Sequence, residues 1–195
     1  PKSTRGQAVK ASLTLRYGDD KSLDNWVEVP AALAALLDKG TTTLSRQQLQ
    51  DKLDALQAEL SFGSAPGQLI VNLATRREHL PALIELVADV LRHPALPAEA
   101  LEEVRHQALA ALEEQSKEPE AVLSEAIARH GNPYPVGDVR YARTFAETES
   151  DWKTVALDRV NAFHGEFLSA GHAQFAAVGD LDVKAVKQAL QSGFG

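Results

Sequence analysis

Residues 8–18, AVKASLTLRYG, alternate between apolar and polar side chains. Val9, Ala11, Leu13, Leu15 and Tyr17 fall on one side, and Lys10, Ser12, Thr14 and Arg16 on the other. Successive side chains of a strand point to opposite faces, so a period of two describes a strand with one buried face. Such a strand belongs to an antiparallel sheet packed on one side, because strands buried on both faces read as unbroken apolar runs. Gly18-Asp19-Asp20 ends it. The remaining chain must then supply a layer that covers one face of a sheet.

Helices supply that layer. In VPAALAALLDKGT (29–41), Pro30 suits a first turn, where its missing N–H costs nothing, and Gly40 suits the position just past the end. Leu33, Leu36 and Leu37 form the apolar side. Ser45 and Gln48 have capping-box spacing ahead of Leu49, Leu53, Leu56 and Leu60, which predicts a helix over about 46–58. AELSFGS (58–64) and GQLIVNLAT (67–75) predict a hairpin about Ala65-Pro66. A helix starting near Arg77 carries Leu80, Leu83, Ile84, Val87, Val90 and Leu91, and Pro94 stops it. Another covers 98–117, with Leu101, Val104, Ala108, Ala111 and Leu112 inward, and a further one runs from Pro119 to Gly131. HGNPYPVGDVRY (130–141) reads as a loop, dense in Gly and Pro. A helix near 156–167, a short buried strand at 173–179 and a last helix capped by Asp182, with Gly193 at its end, complete the chain. Few strands and many helices predict an α+β fold, a two-layer domain with an antiparallel or mixed sheet.

Composition narrows the function classes. A chain of 195 residues can bury a sizeable core, and 44% hydrophobic with 24% charged residues is ordinary globular composition. The absence of Cys excludes disulfides, thiolate catalysis and Cys-ligated zinc from these residues. With 27 acids against 20 bases the net charge is −7, which argues against nucleic acid as a partner. No run reaches the ~18 apolar residues of a membrane span. The opening PKSTRGQAVK lacks the apolar core of a leader, and a chain that begins at Pro1 is expected to be a trimmed piece of something longer.

Residues of the kind that carry chemistry are present, but not in chemical spacing. The six histidines are His79, His93, His106, His130, His164 and His172. A helical zinc pair needs two at i and i+3 or i+4, and none of these are so spaced. His106 follows Glu102 by one turn, which reads as a weak surface pair. Glu102-Glu103 and Glu113-Glu114 are adjacent and point to different faces of a helix, so neither is a carboxylate dyad. There is no nucleophile elbow and no phosphate loop. Tyr134, Asp138, Arg140 and Tyr141 sit in the 130–141 loop, where a structural hairpin is a better reading than a partner-binding loop. Trp26 and Trp152 read as boundary packing. The residues name no catalytic, metal-binding or substrate-binding side chain.

Several phrases in order carry a resemblance: LRYGDDKSL (15–23), LLDKGTTTLSRQQLQDKLDALQAEL (36–60), VADVLRHPALPAEALEEVRHQALAAL (87–112), HGNPYPVGDVRY (130–141) and VNAFHGEFLSAGHAQFAAVGDLDVKAVKQALQSGFG (160–195). Together they resemble one unit of the pitrilysin/insulinase family of zinc metallopeptidases, across nearly the whole chain. The resemblance implies a helix-on-sheet unit of the mitochondrial-processing-peptidase-like type, one of several that enclose a peptide chamber. The family's first unit carries His-x-x-Glu-His shortly before a Gly-Thr: two His and a later Glu hold zinc, and the motif Glu is the general base. Counted back from Lys39-Gly40-Thr41, those motif positions are Ala31, Ala34 and Ala35, and the later carboxylate falls near Glu113 or Glu114. Alanine neither ligates a metal nor takes a proton.

The resemblance therefore implies one non-catalytic unit over 1–195, most similar to a third unit. No cofactor is expected in it, and zinc is expected in a sibling unit. Its expected partners are sibling units of the same chain or a partner subunit, and the parent's peptide substrate. By family analogy the expected compartment is the bacterial periplasm, with the cytoplasm as the other option. Two further readings stand beside this one. The first is a scaffold subunit of the same fold without peptidase activity, like the core subunits of respiratory complex III. The second is an unrelated α+β binding module.

Overall fold

The structure, a computed structural model, describes residues 7–195. Residues 1–6, most of the opening segment read above for a leader, lie outside the described residues. Four strands form one sheet in the order β2-β3-β1-β4, and every pairing is antiparallel. The strands are β1 (Ala8–Arg16), β2 (Glu59–Ala65), β3 (Gln68–Arg76) and β4 (Ala173–Gly179). The choice left between an antiparallel and a mixed sheet is thus decided.

The alternation in β1 and β3 sets which face is covered. Val9, Leu13 and Leu15 of β1 pair with Thr75, Val71 and Leu69 of β3, and all six are buried. Between them Lys10, Arg16 and Asn72 face solvent. Thr75 is the polar exception on the buried face, and its hydroxyl donates to the Leu56 carbonyl at 2.8 Å. Ala65 pairs with Gln68, so the β2–β3 turn is Pro66-Gly67, one residue later than Ala65-Pro66. Proline fixes the first corner and Gly67, at φ 68°, takes the left-handed second corner, the pattern of a type II turn.

Among the described residues there are eight α-helices: α1 (Val29–Leu36), α2 (Arg46–Ala55), α3 (Leu80–Arg92), α4 (Ala98–Gln115), α5 (Pro119–His130), α6 (Phe145–Thr154), α7 (Leu157–Phe167) and α8 (Val183–Phe194). In α1, Leu33 and Leu36 are essentially inaccessible, as is Leu37 in the tight turn that follows. The predicted stripe of α3 is buried at every position, from Leu80 to Leu91. Ser45 and Gln48 make the capping box of α2. Asp182 caps α8 by accepting from the Lys184 and Ala185 amides.

Five expectations need correction. The second helix stops at Ala55, because Gln57 turns left-handed at φ 47°, and Leu60 belongs to β2. The helix expected from Arg77 begins at Leu80, since β3 runs on to Arg76. The C-terminal half of α4 is largely uncovered: Ala111 is exposed, and Ala108 and Leu112 are only half-buried. Strand β4 is an edge strand with Val178 exposed, so it is not a buried strand. Gly193 lies inside α8 and is buried against α3, so it does not end the helix. One element, α6, has no counterpart in the expected order.

Candidate functional site

The motif positions come first. Ala31, Ala34 and Ala35 lie on α1. Ala34 is 4% exposed and belongs to the core, while Ala31 and Ala35 are half-buried. Methyl groups offer a metal no lone pair. Glu113 and Glu114 project from the exposed end of α4 and share Lys117, at 2.9 and 3.0 Å. The ammonium holds the Glu113 carboxyl below its ordinary range. Among the described residues no group of three His, Cys, Asp or Glu side chains is placed to hold a metal ion. Among the described residues, the three alanines of α1 with Glu113 and Glu114 do not make up the donor set of the family's zinc.

The histidines are dispersed. His164 is the most integrated: its Nε2 lies 2.8 Å from the Leu91 carbonyl and ties α7 to α3. His93 pairs with Asp89 on α3, with Nδ1 3.1 Å from Oδ1. The pair expected between His106 and Glu102 gives way to a shorter one, because Glu102 bonds to Arg105. Arg105 also ties α4 to the end of α6 through the Trp152 carbonyl, at 3.1 Å.

The 130–141 segment contains no strand among its residues, so the expected hairpin is replaced by a loop held by charges. The Arg140 guanidinium makes a two-pronged contact with Asp138, at 2.9 and 2.8 Å, and pulls that carboxyl down to about 2. The same guanidinium reaches Asp20 at 2.9 Å and lies 4.1 Å above the Tyr134 ring. The loop is thereby fastened to the segment after β1. Tyr141 donates to Glu147 at 2.9 Å, and Glu147 also takes Arg129 at 3.0 Å.

Glu147 completes a capping box with Thr144 at the start of α6. The Thr144 amide and the Tyr141 hydroxyl hold its carboxyl down at about 2. Thr144-Phe145-Ala146-Glu147 has the sequence spacing of such a box, and that signal would have revealed α6. The two tryptophans are packing residues, as read. Trp152 is buried, and Trp26 joins Tyr17, Phe163 and Phe167 in an aromatic cluster of five ring pairs, four with centroids 5.2–6.4 Å apart and the stacked phenylalanines at 4.8 Å.

One concave site gathers residues from distant parts of the chain. A cleft of about 300 Å³ opens at the start of α1. Its walls include Tyr17, Trp26, Glu28, Ala31, Tyr141 and Arg143, with the Pro66-Gly67 turn at its edge. Ala31 is a motif position, so the cleft adjoins the stretch of α1 that the resemblance associates with chemistry. Glu28 precedes α1 in the left-handed region, at φ 59°, where a residue with a β-carbon is strained. Burial pushes its carboxyl above the ordinary range and the nearby Asp151 charge adds to this, while Arg143 and the Trp152 side chain pull back. Arg143 is itself committed to Asp151, at 2.6 Å. No sequence motif marks Glu28: an acid two residues before a proline has no signature.

Comparison with known proteins gives the fold its relatives. A family model described as insulinase, peptidase family M16, matches residues 33–138, more than half of the chain. The chain belongs to the insulinase family, peptidase family M16. Mitochondrial-processing peptidase subunit alpha of Solanum tuberosum is 26% identical over 117 residues, covering 57% of this chain and 23% of the plant protein. Among solved structures, a peptidase M16 inactive domain from Pseudomonas fluorescens superposes with a TM-score of 0.77 at 20% identity, over 96% of this chain and 46% of that one. A Helicobacter pylori protease gives 0.82 at 15% identity, over 100% of this chain and 46% of that one. Pitrilysin gives 0.74 at 17% identity, over 99% and 21%. This M16 chain spans less than half the length of each of these relatives. Among the described residues no helix is long and apolar enough to cross a membrane.

Proposed function

We propose that this chain is a non-catalytic structural unit of a zinc-dependent M16 peptidase, one that helps enclose the peptide chamber with sibling units. The observation that carries the proposal is the set of three alanines at the motif positions of α1, one of them a core residue. The likeness in fold to a domain described as inactive supports it. So does the short span of the chain against its relatives, which are parts of larger peptidases or subunits. Helix α5 is consistent with a sibling contact: it has no buried residue, and Val122, Leu123 and Ile127 are 46%, 61% and 66% exposed. Zinc and the general base then reside in a sibling unit.

The test is an assay of the purified chain, supplied with zinc, against quenched fluorescent peptides of mixed sequence. No cleavage above a zinc-only control is expected. Cleavage that disappears in Glu113→Gln/Glu114→Gln would overturn the proposal.

A further inference from the structure

Helix α5 is turned the opposite way from an ordinary surface helix, which buries an apolar stripe and shows its charges to solvent. In α5, Val122, Leu123 and Ile127 are exposed. Its half-buried residues are Ala121 and Glu125, which share one line with Arg129 at steps of four. That line meets the start of α6. Glu125 accepts from the amide of Phe145, the first residue of α6, at 2.6 Å, and Arg129 pairs with Glu147 at 3.0 Å. The Arg129 guanidinium also lies 5.9 Å over the Tyr141 ring. No residue of α5 is buried, so hydrophobic burial contributes little to holding it in place. A helix of twelve residues is marginal in water by itself.

We infer that α5 is a conditional helix, ordered on the domain while the Glu125–Phe145 and Arg129–Glu147 contacts hold and melting when they part. Contacts of this kind between exposed groups are weak, and salt screens them. Opening of α5 is therefore a local event that leaves the core folded. Twelve residues span about 18 Å as a helix and up to about 40 Å when extended, so melting loosens the tether between α4 and α6. The device is built into this chain alone and stands whether or not the parent protein cleaves peptides.

The experiment is native-state hydrogen exchange of the 195-residue chain at neutral pH, read amide by amide by NMR. In the wild-type chain the amides of 123–130 are expected to be at least roughly tenfold less protected than those of α3, whose stripe is buried. Raising sodium chloride is expected to speed their exchange further and to leave α3 unchanged. Glu125→Ala/Arg129→Ala is expected to speed α5 exchange severalfold at low salt, again with α3 unchanged, and to remove the salt response. Alanine is the better helix former, so faster exchange in that variant cannot come from a lower helix propensity. Protection of α5 equal to that of α3 would overturn the inference, as would salt-independent exchange of α5 in the wild-type chain or unchanged exchange in the folded double variant. The wild-type salt series needs no variant, so a double variant that fails to fold leaves the test intact.

Discussion

Gly193 of α8 lies so close to Ala88 of α3 that a β-carbon added at Gly193 would stand 2.9 Å from the Ala88 β-carbon. Neither atom is the end of a flexible side chain, so the two helices would have to part. A glycine inside a helix normally costs about 1 kcal/mol relative to alanine. Gly193→Ala is nevertheless expected to destabilise the chain by about 1–3 kcal/mol, the usual cost of overpacking. Urea unfolding monitored by circular dichroism measures it. Gly193→Ala with Ala88→Gly is expected to recover most of the loss.

Ala34 is nearly inaccessible in the core, on the helix where the family's general base would stand. A lone carboxylate there would be buried without a cation. Ala34→Glu is expected to cost about 3–5 kcal/mol, the range for an uncompensated buried charge. Ala35→His, at a half-buried position, is expected to cost less than Ala34→Glu. Thermal melting of the two variants checks the order.

Glu28 is the strained residue at the cleft. Glu28→Gly relieves a left-handed penalty of about 1–2 kcal/mol, offset by about 0.4–1 kcal/mol from the looser unfolded chain. A net gain of roughly 1 kcal/mol is expected in denaturant unfolding at pH 7. The same residue has a pH signature. Its carboxyl is raised in the folded state, so its contribution is full below the ordinary carboxylate value and is lost as pH rises through the raised one. Glu28→Gln is expected to remove that decline.

Glu147 and Asp138 act in the opposite sense. Both carboxyls lie at about 2 in the folded chain, below the ordinary values of 4.5 and 3.8. Their contributions are full above those ordinary values and are lost as pH falls toward 2. Stability between pH 5 and 2 is expected to fall less steeply in Glu147→Gln, and the amide signals of α6 are expected to broaden first in the wild-type chain. Thr144→Ala removes the other half of the box and is expected to cost about 1 kcal/mol at pH 7.

Much of this fold is legible in the sequence because period and burial agree. The β1 alternation and the α3 stripe are each written in residues that the core takes up almost without exception. Helix α6 is hidden for the opposite reason. FAETESDWKT buries only Trp152, so no apolar stripe announces it, and its start signal lies in Thr144 and Glu147 alone. Gly193 misleads because a glycine chosen for helix contact looks the same in sequence as one chosen to end a helix. The absence of zinc donors on α1 is readable from three alanines. The cleft beside them is not, because Tyr17, Glu28, Pro66 and Arg143 meet only through the tertiary fold.

Zinc stoichiometry measures the non-catalytic reading most directly. The purified chain is dialysed to equilibrium against micromolar zinc at neutral pH, and bound metal is determined by mass spectrometry. Well below one zinc per chain is expected, unchanged by Glu113→Gln/Glu114→Gln. One tightly held zinc per chain, lost in that double variant, would contradict it.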